Sequence, residues 1–99
     1  MNEDVQIYFA EFGEQLMFTG SGNEKEIDAI FDRQIIDSFL GDITVSNKSI
    51  TCLVKSEDVE DWTLNAEIVR KEITYYSTEI ALTDNDDLSL LTLSLDKVQ

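Results

Sequence analysis

Histidine is absent from this 99-residue sequence. Its absence removes the commonest general base and the commonest metal ligand. Cysteine occurs once, at Cys52, so no internal disulfide can form. A reducing compartment is the simplest reading of that usage. Proline is absent as well, and nothing in the sequence pattern explains it. Basic residues are scarce: 7 Lys and Arg stand against 21 Asp and Glu, a formal charge of −14. Such a surface repels nucleic-acid phosphates and anionic membranes. The expectation is no direct nucleic-acid binding and no membrane association, with basic or apolar protein surfaces as partners. No apolar run reaches membrane-spanning length. Met1-Asn2-Glu3-Asp4 is acidic where a secretory leader would be basic, so none is expected. The Asn47-Lys48-Ser49 sequon then carries no meaning.

What remains is a globular composition, 42% apolar and 28% charged, at the size of one domain, residues 1–99. Residues 3–12 have the spacing of a short amphipathic helix, with Val5, Tyr8, Phe9 and Phe12 on one face. Gly13 is placed to end it in a left-handed cap. Gln15 to Thr19 and Glu24 to Arg33 read as a hairpin around Gly20-Ser21-Gly22-Asn23. Residues 34–49 fit no single period and read as an irregular, mobile loop, with Ile43 and Val45 as a brief extended piece. Ile50 to Val54 is a β-branched strand. Ser56 to Val59 reads as a single helical turn capped by Ser56. Ala66 to Arg70 and Ile73 to Leu82 are strands joined at Lys71-Glu72. Apolar parity in the second of these changes from Ile73 and Tyr75 to Ile80 and Leu82, so a β-bulge is expected near 76–79. Leu88 to Leu95 closes the chain after the turn Asp84-Asn85-Asp86-Asp87.

The fold expected is mainly β: a small barrel or sandwich of about six antiparallel strands with one short N-terminal helix. Its predicted core is Phe9, Phe12, Ile27, Ala29, Phe31, Cys52, Val54, Ile68, Ile73, Ile80, Leu91 and Leu93.

Each candidate for chemistry has a plainer reading. The 84–87 turn could gather calcium oxygens, but the calcium-loop pattern would place its glycine at Ser89 and its bidentate Glu at Leu95. A solvated hairpin turn fits better. Glu57-Asp58 and Glu60-Asp61 could do acid–base work only in a pocket, and their charged surroundings point to solvent. Cys52 lies beside Leu53 and Val54 with no base to lower its pKa, and reads as a buried structural thiol. Gly20-Ser21-Gly22 lacks the Gly-Lys-Ser/Thr of a phosphate loop. No catalytic residue, cofactor or metal is therefore expected, and no enzyme. Trp62 reads as a lid on the core. Ile35, Ile36, Phe39 and Leu40 either fold back or present contact surface to another protein.

The order of segments carries a resemblance. An N-terminal helix ends in Phe12-Gly13. The strand Ile27-Asp28-Ala29-Ile30-Phe31-Asp32-Arg33 follows, then an irregular stretch. Next come Leu53-Val54-Lys55-Ser56-Glu57-Asp58-Val59 and the run from Ala66 through Tyr75, with an acidic turn before Leu91-Thr92-Leu93. Nearly the whole chain resembles the head–tail joining (head-completion, or attachment) proteins of lambda-like bacteriophages and prophages. Two departures fall at turns: the family's Gly-Asp step reads Asn65-Ala66-Glu67, and its hairpin glycine is replaced around Arg70-Lys71. The resemblance implies a non-enzymatic virion protein that assembles in the bacterial cytoplasm and resides in the virion neck. It implies as partners the head connector (portal-associated) protein and the tail terminator protein, with self-association into a ring on the connector. Under that reading Ile35, Ile36, Phe39 and Leu40 are the contact residues. The alternative is an acidic DNA mimic or other module that occupies a basic surface on a partner protein.

Overall fold

A computed structural model describes residues 3–40, 50–83 and 86–98, with the side chains at 3–5 and 39–40 outside that description. Helix α1 (Glu3–Phe12) leads into strands β1 (Gly13–Thr19) and β2 (Glu24–Ile30), then helix α2 (Arg33–Leu40). Strand β3 (Ile50–Lys55) runs into a 3-10 turn (Ser56–Val59). Strands β4 (Ala66–Arg70), β5 (Ile73–Leu82) and β6 (Leu88–Ser94) complete the chain. The six strands close into an antiparallel barrel in the order β1-β2-β3-β6-β5-β4, with β4 returning to β1 through Met17↔Val69 and Phe18↔Ile68.

Alternation sends one parity of each strand inward. Leu16 and Phe18, Ile27 and Ala29, Cys52 and Val54, Ala66 and Ile68, and Leu91 and Leu93 fill the interior with Val59. Phe31, Trp62, Tyr75 and Ile80 pack against that cluster while half-buried. The expected bulge is present: register shifts between Ser77↔Leu93 and Glu79↔Thr92. The inserted residue lets Tyr75 and Ile80, of opposite parity, reach the same interior.

A second apolar cluster lies on the other side of the wall. Ile30, Leu53 and Leu90 face outward in register, Ile30↔Leu53 and Leu53↔Leu90. With Leu88 they are covered by Phe9 of α1 and by Ile36 and Ile35 of α2.

The structure corrects the expected loop at 34–40, which is helical. Asp32 supplies the start: its Oδ1 accepts the backbone N–H groups of Gln34 (2.9 Å) and Ile35 (3.4 Å), as an N-cap does. The Asp32 carbonyl accepts the Ile36 N–H at 3.0 Å. An Arg33–Asp37 ion pair at 3.0 Å bridges one turn. Residues 41–49, including the brief extended piece expected at Ile43 and Val45, lie outside the described residues.

Four further expectations are corrected. Phe12 is 43% exposed and Ile73 46%. Phe9 takes the buried position of α1, and Phe12 lies beside Tyr8 with ring centroids 6.4 Å apart. Ile73 follows the Lys71-Glu72 turn at the rim of the barrel. Gly13 is not a left-handed cap: it enters β1 opposite Ile30, where any Cβ would collide with the Phe9 carbonyl. Ser56 makes no cap; its N–H donates to the Asp87 carbonyl and its hydroxyl shares a hydrogen bond with Ser89, each at 2.8 Å.

The Lys71-Glu72 turn is present in a demanding form. Both residues have positive φ, 51° and 68°, between the paired Arg70 and Ile73. This is the mirror-image two-residue turn that matches strand twist.

Candidate functional site

Cys52 faces the barrel interior with no exposure, and burial pushes its thiol pKa up to about 12. It holds its proton at neutral pH and has no path to a substrate.

The fold brings together two acidic stretches that the sequence presents separately. The Ser56–Asp87 backbone bond ties the 3-10 turn to the β5–β6 turn. Ser56, Glu57, Glu60, Asp86 and Asp87 line one open groove there. Asp84 and Asn85 lie outside the described residues. Asp58 is half-buried next to the groove, and its pKa is raised by burial, against a smaller lowering from Lys55. Among the described residues no three His, Cys, Asp or Glu side chains converge in a way that would hold a metal ion.

Both ends of the barrel are closed by side chains. At one end Trp62 Nε1 donates to Ser77 Oγ at 2.8 Å, and that hydroxyl donates onward to the Glu79 carbonyl at 3.3 Å. Trp62 is thus the lid that the sequence suggested. Lys25 pairs with Asp61 at 3.3 Å and lies over the Phe18 ring. Asp61 Oδ1 is shielded from solvent and accepts no hydrogen bond, so the Lys25 ammonium stabilises it as a charge contact. Gly20 leaves room for the Asp61 carbonyl, which a Cβ would strike.

At the other end the Arg70 guanidinium lies over Phe31, its central carbon 3.8 Å from the ring centroid. Its Nε and NH2 groups donate to the two oxygens of Glu14 at 3.1 and 2.6 Å. This fork holds the Glu14 carboxyl below its ordinary range, against an opposing push from burial.

The residues singled out as partner contacts are treated unequally. Ile36 is 1% exposed and belongs to the outer cluster, with Ile35 half-buried against it. Both belong to the cluster that contains Leu53 and Leu90, so neither stands as free surface in the single chain. Phe39 and Leu40 continue α2, with side chains outside the described residues.

Sequence reasoning missed a different feature. Asn65, at φ 65°, holds the backbone of Val98 through its side-chain amide at both polar atoms. The available signal was an Asn just before a strand, since Asn tolerates the left-handed region better than other side-chain-bearing residues.

No family model matches the chain, and neither the curated proteins nor the solved structures gave a match.

Proposed function

We propose that this chain is a structural virion protein that joins the phage head connector to the tail by assembling as a ring. One observation carries the reading: the segments that resemble head–tail joining proteins fall on successive junctions of the fold. Phe12-Gly13 is the α1–β1 junction, Ile27 to Arg33 spans β2 and the entry to α2, and Leu53 to Val59 spans β3 and the 3-10 turn. Ala66 to Tyr75 forms the β4–β5 hairpin. The charge of −14 favours basic or apolar protein surfaces as partners. The connector and the tail terminator are the partners this reading names, with assembly in the bacterial cytoplasm and residence in the virion neck. The test is to add purified protein to filled, tail-less heads and free tails. Recovery of infectious particles is expected, and folded protein that leaves heads and tails apart overturns the reading.

A second reading draws on the acidic groove, where Glu57, Glu60, Asp86 and Asp87 lie together. In it the protein occupies a basic surface of a host protein. Displacement of duplex DNA from a basic DNA-binding protein, lost on neutralising those four acids, would favour it over the first.

A further inference from the structure

The outer surface of the wall at β2, β1 and β4 carries an ordered pattern. Leu16, Phe18, Ile27 and Ile68 point into the core, so residues of the opposite parity on these strands face outward. Register sets them side by side: Glu24, Thr19 and Glu67 in one row, Glu26, Met17 and Val69 in the next. Glu24, Glu26, Glu67 and Val69 are exposed, with Met17 and Thr19 half-buried among them. An adjacent apolar pair, Met17 and Val69, is thus bordered by Glu24 and Glu26 on β2 and by Glu67 on β4. The chain's scarce cations are engaged elsewhere. Lys25 pairs with Asp61, Arg33 with Asp37, Lys55 with Asp28 and Arg70 with Glu14, while Lys97 lies over the Tyr76 ring. Among the described residues no cation pairs with Glu24, Glu26 or Glu67.

We propose that this face docks an amphipathic helix of a partner protein, with an apolar stripe on Met17 and Val69 and Lys or Arg on both flanks of that stripe. An apolar centre with a charged border is the layout of a protein-binding patch, and its one sign of charge selects a basic border on the partner. The dimensions suit a helix. Glu24 and Glu67 stand two strand spacings apart, about 10 Å between backbones, which is about the width of a helix with its side chains. Lys and Arg stems can lie along the apolar pair while their charged ends reach the acids. The other side of the barrel already uses this mode, with α1 and α2 setting Phe9, Ile35 and Ile36 on the outward Ile30, Leu53 and Leu90. A second copy presenting the same face would set acids against acids, which is unfavourable. The proposal depends on neither the joining reading nor the groove reading, because it uses a different surface from both.

The test uses the full-length protein and a labelled synthetic peptide of about 18 residues, long enough to form a helix, with a leucine stripe flanked by lysines. A peptide of the same composition in scrambled order is the control. Fluorescence anisotropy at low salt is expected to show the patterned peptide binding, and binding about tenfold weaker for the scrambled one. Glu24→Gln/Glu26→Gln/Glu67→Gln should weaken the patterned peptide about tenfold, and Val69→Lys should abolish its binding. Glu57→Gln/Glu60→Gln/Asp86→Asn removes as many charges from the acidic groove and should leave binding unchanged. No binding to the wild type, equal binding of the scrambled peptide, or equal weakening by the two triple variants overturns the proposal. Amide chemical shifts of the wild type provide a readout that needs no variant to fold. The largest changes on adding peptide are expected at Met17, Thr19, Glu67 and Val69, and changes centred on the groove overturn the proposal. Sedimentation of the wild type alone as a dimer, with Val69→Lys monomeric, would assign the face to a second copy and overturn it too.

Discussion

The two halves of the barrel wall differ in what lies outside them. Outside β2, β3 and β6, Ile30, Leu53, Leu88 and Leu90 are sealed beneath α1 and α2. Outside β4, Glu67 and Val69 are exposed among the described residues, with Val69 38% exposed. The inner faces of both halves share one core. Strands buried on both faces carry near-continuous apolar runs, whereas half-buried strands alternate. Cys52-Leu53-Val54 and Leu90-Leu91 are buried without a break. In β4 buried Ala66 and Ile68 alternate with exposed Glu67 and Val69.

The widest separation between the halves is expected from one substitution in each. Leu53→Ala removes a fully buried side chain from the sealed half and should cost about 2–5 kcal/mol. Val69→Thr on the open half should stay within about 0.5 kcal/mol. Urea unfolding of both variants measures the difference. Near-equal losses would mean that the open half is covered in solution, as by self-association.

This contrast also explains what was legible in the sequence. Leu91 and Leu93 were correctly assigned to the interior because they alternate. Leu88 and Leu90 lie in the same strand at the opposite parity and face the outer cluster. A reading that seeks a single buried face passes over them. The helix at Arg33–Leu40 is hidden from a strand-parity reading for a related reason. Ile35, Ile36, Phe39 and Leu40 stand at i, i+1, i+4 and i+5, a helical stripe, and Asp32 is a ready N-cap. The parity change in β5 was readable because a bulge is the local solution to it. The Glu14–Arg70 fork and the Asn65–Val98 clasp join residues 56 and 33 positions apart. No periodicity reports contacts that depend on barrel closure.

A smaller effect, of opposite sign, is expected at the β4–β5 turn on the open half. Glu72 has φ 68°, a conformation that costs a residue with a Cβ about 1 kcal/mol and costs glycine nothing. Glu72→Gly should raise stability by somewhat less than about 1 kcal/mol, because glycine also gains entropy in the unfolded chain. A lowered melting temperature would mean that the Glu72 side chain makes a compensating contact.

The smallest effects separate two carboxylates whose environments act in opposite directions. The Arg70 fork lowers the pKa of Glu14 from its ordinary 4.5. Its contribution is therefore fully present above that value and is lost as pH falls through the lowered folded value. Both partners are partly exposed, 25% for Arg70 and 34% for Glu14, so about 1 kcal/mol or less is expected after solvent screening. Glu14→Gln should destabilise at neutral pH and converge on the wild type in acid. Asp58 behaves conversely. Burial raises its pKa from the ordinary 3.8, so its ionised form opposes folding. That penalty is absent at low pH, appears as pH rises through 3.8, and levels off above the raised folded value. Asp58→Asn should therefore stabilise the protein by a few tenths of a kcal/mol near neutral pH, with the gain vanishing in acid. Urea midpoints measured across the acid range for both variants should diverge from the wild type in opposite directions as pH rises. A shift in the same direction for both would show that Asp58 is held by its neighbouring Lys55 more strongly than burial opposes it.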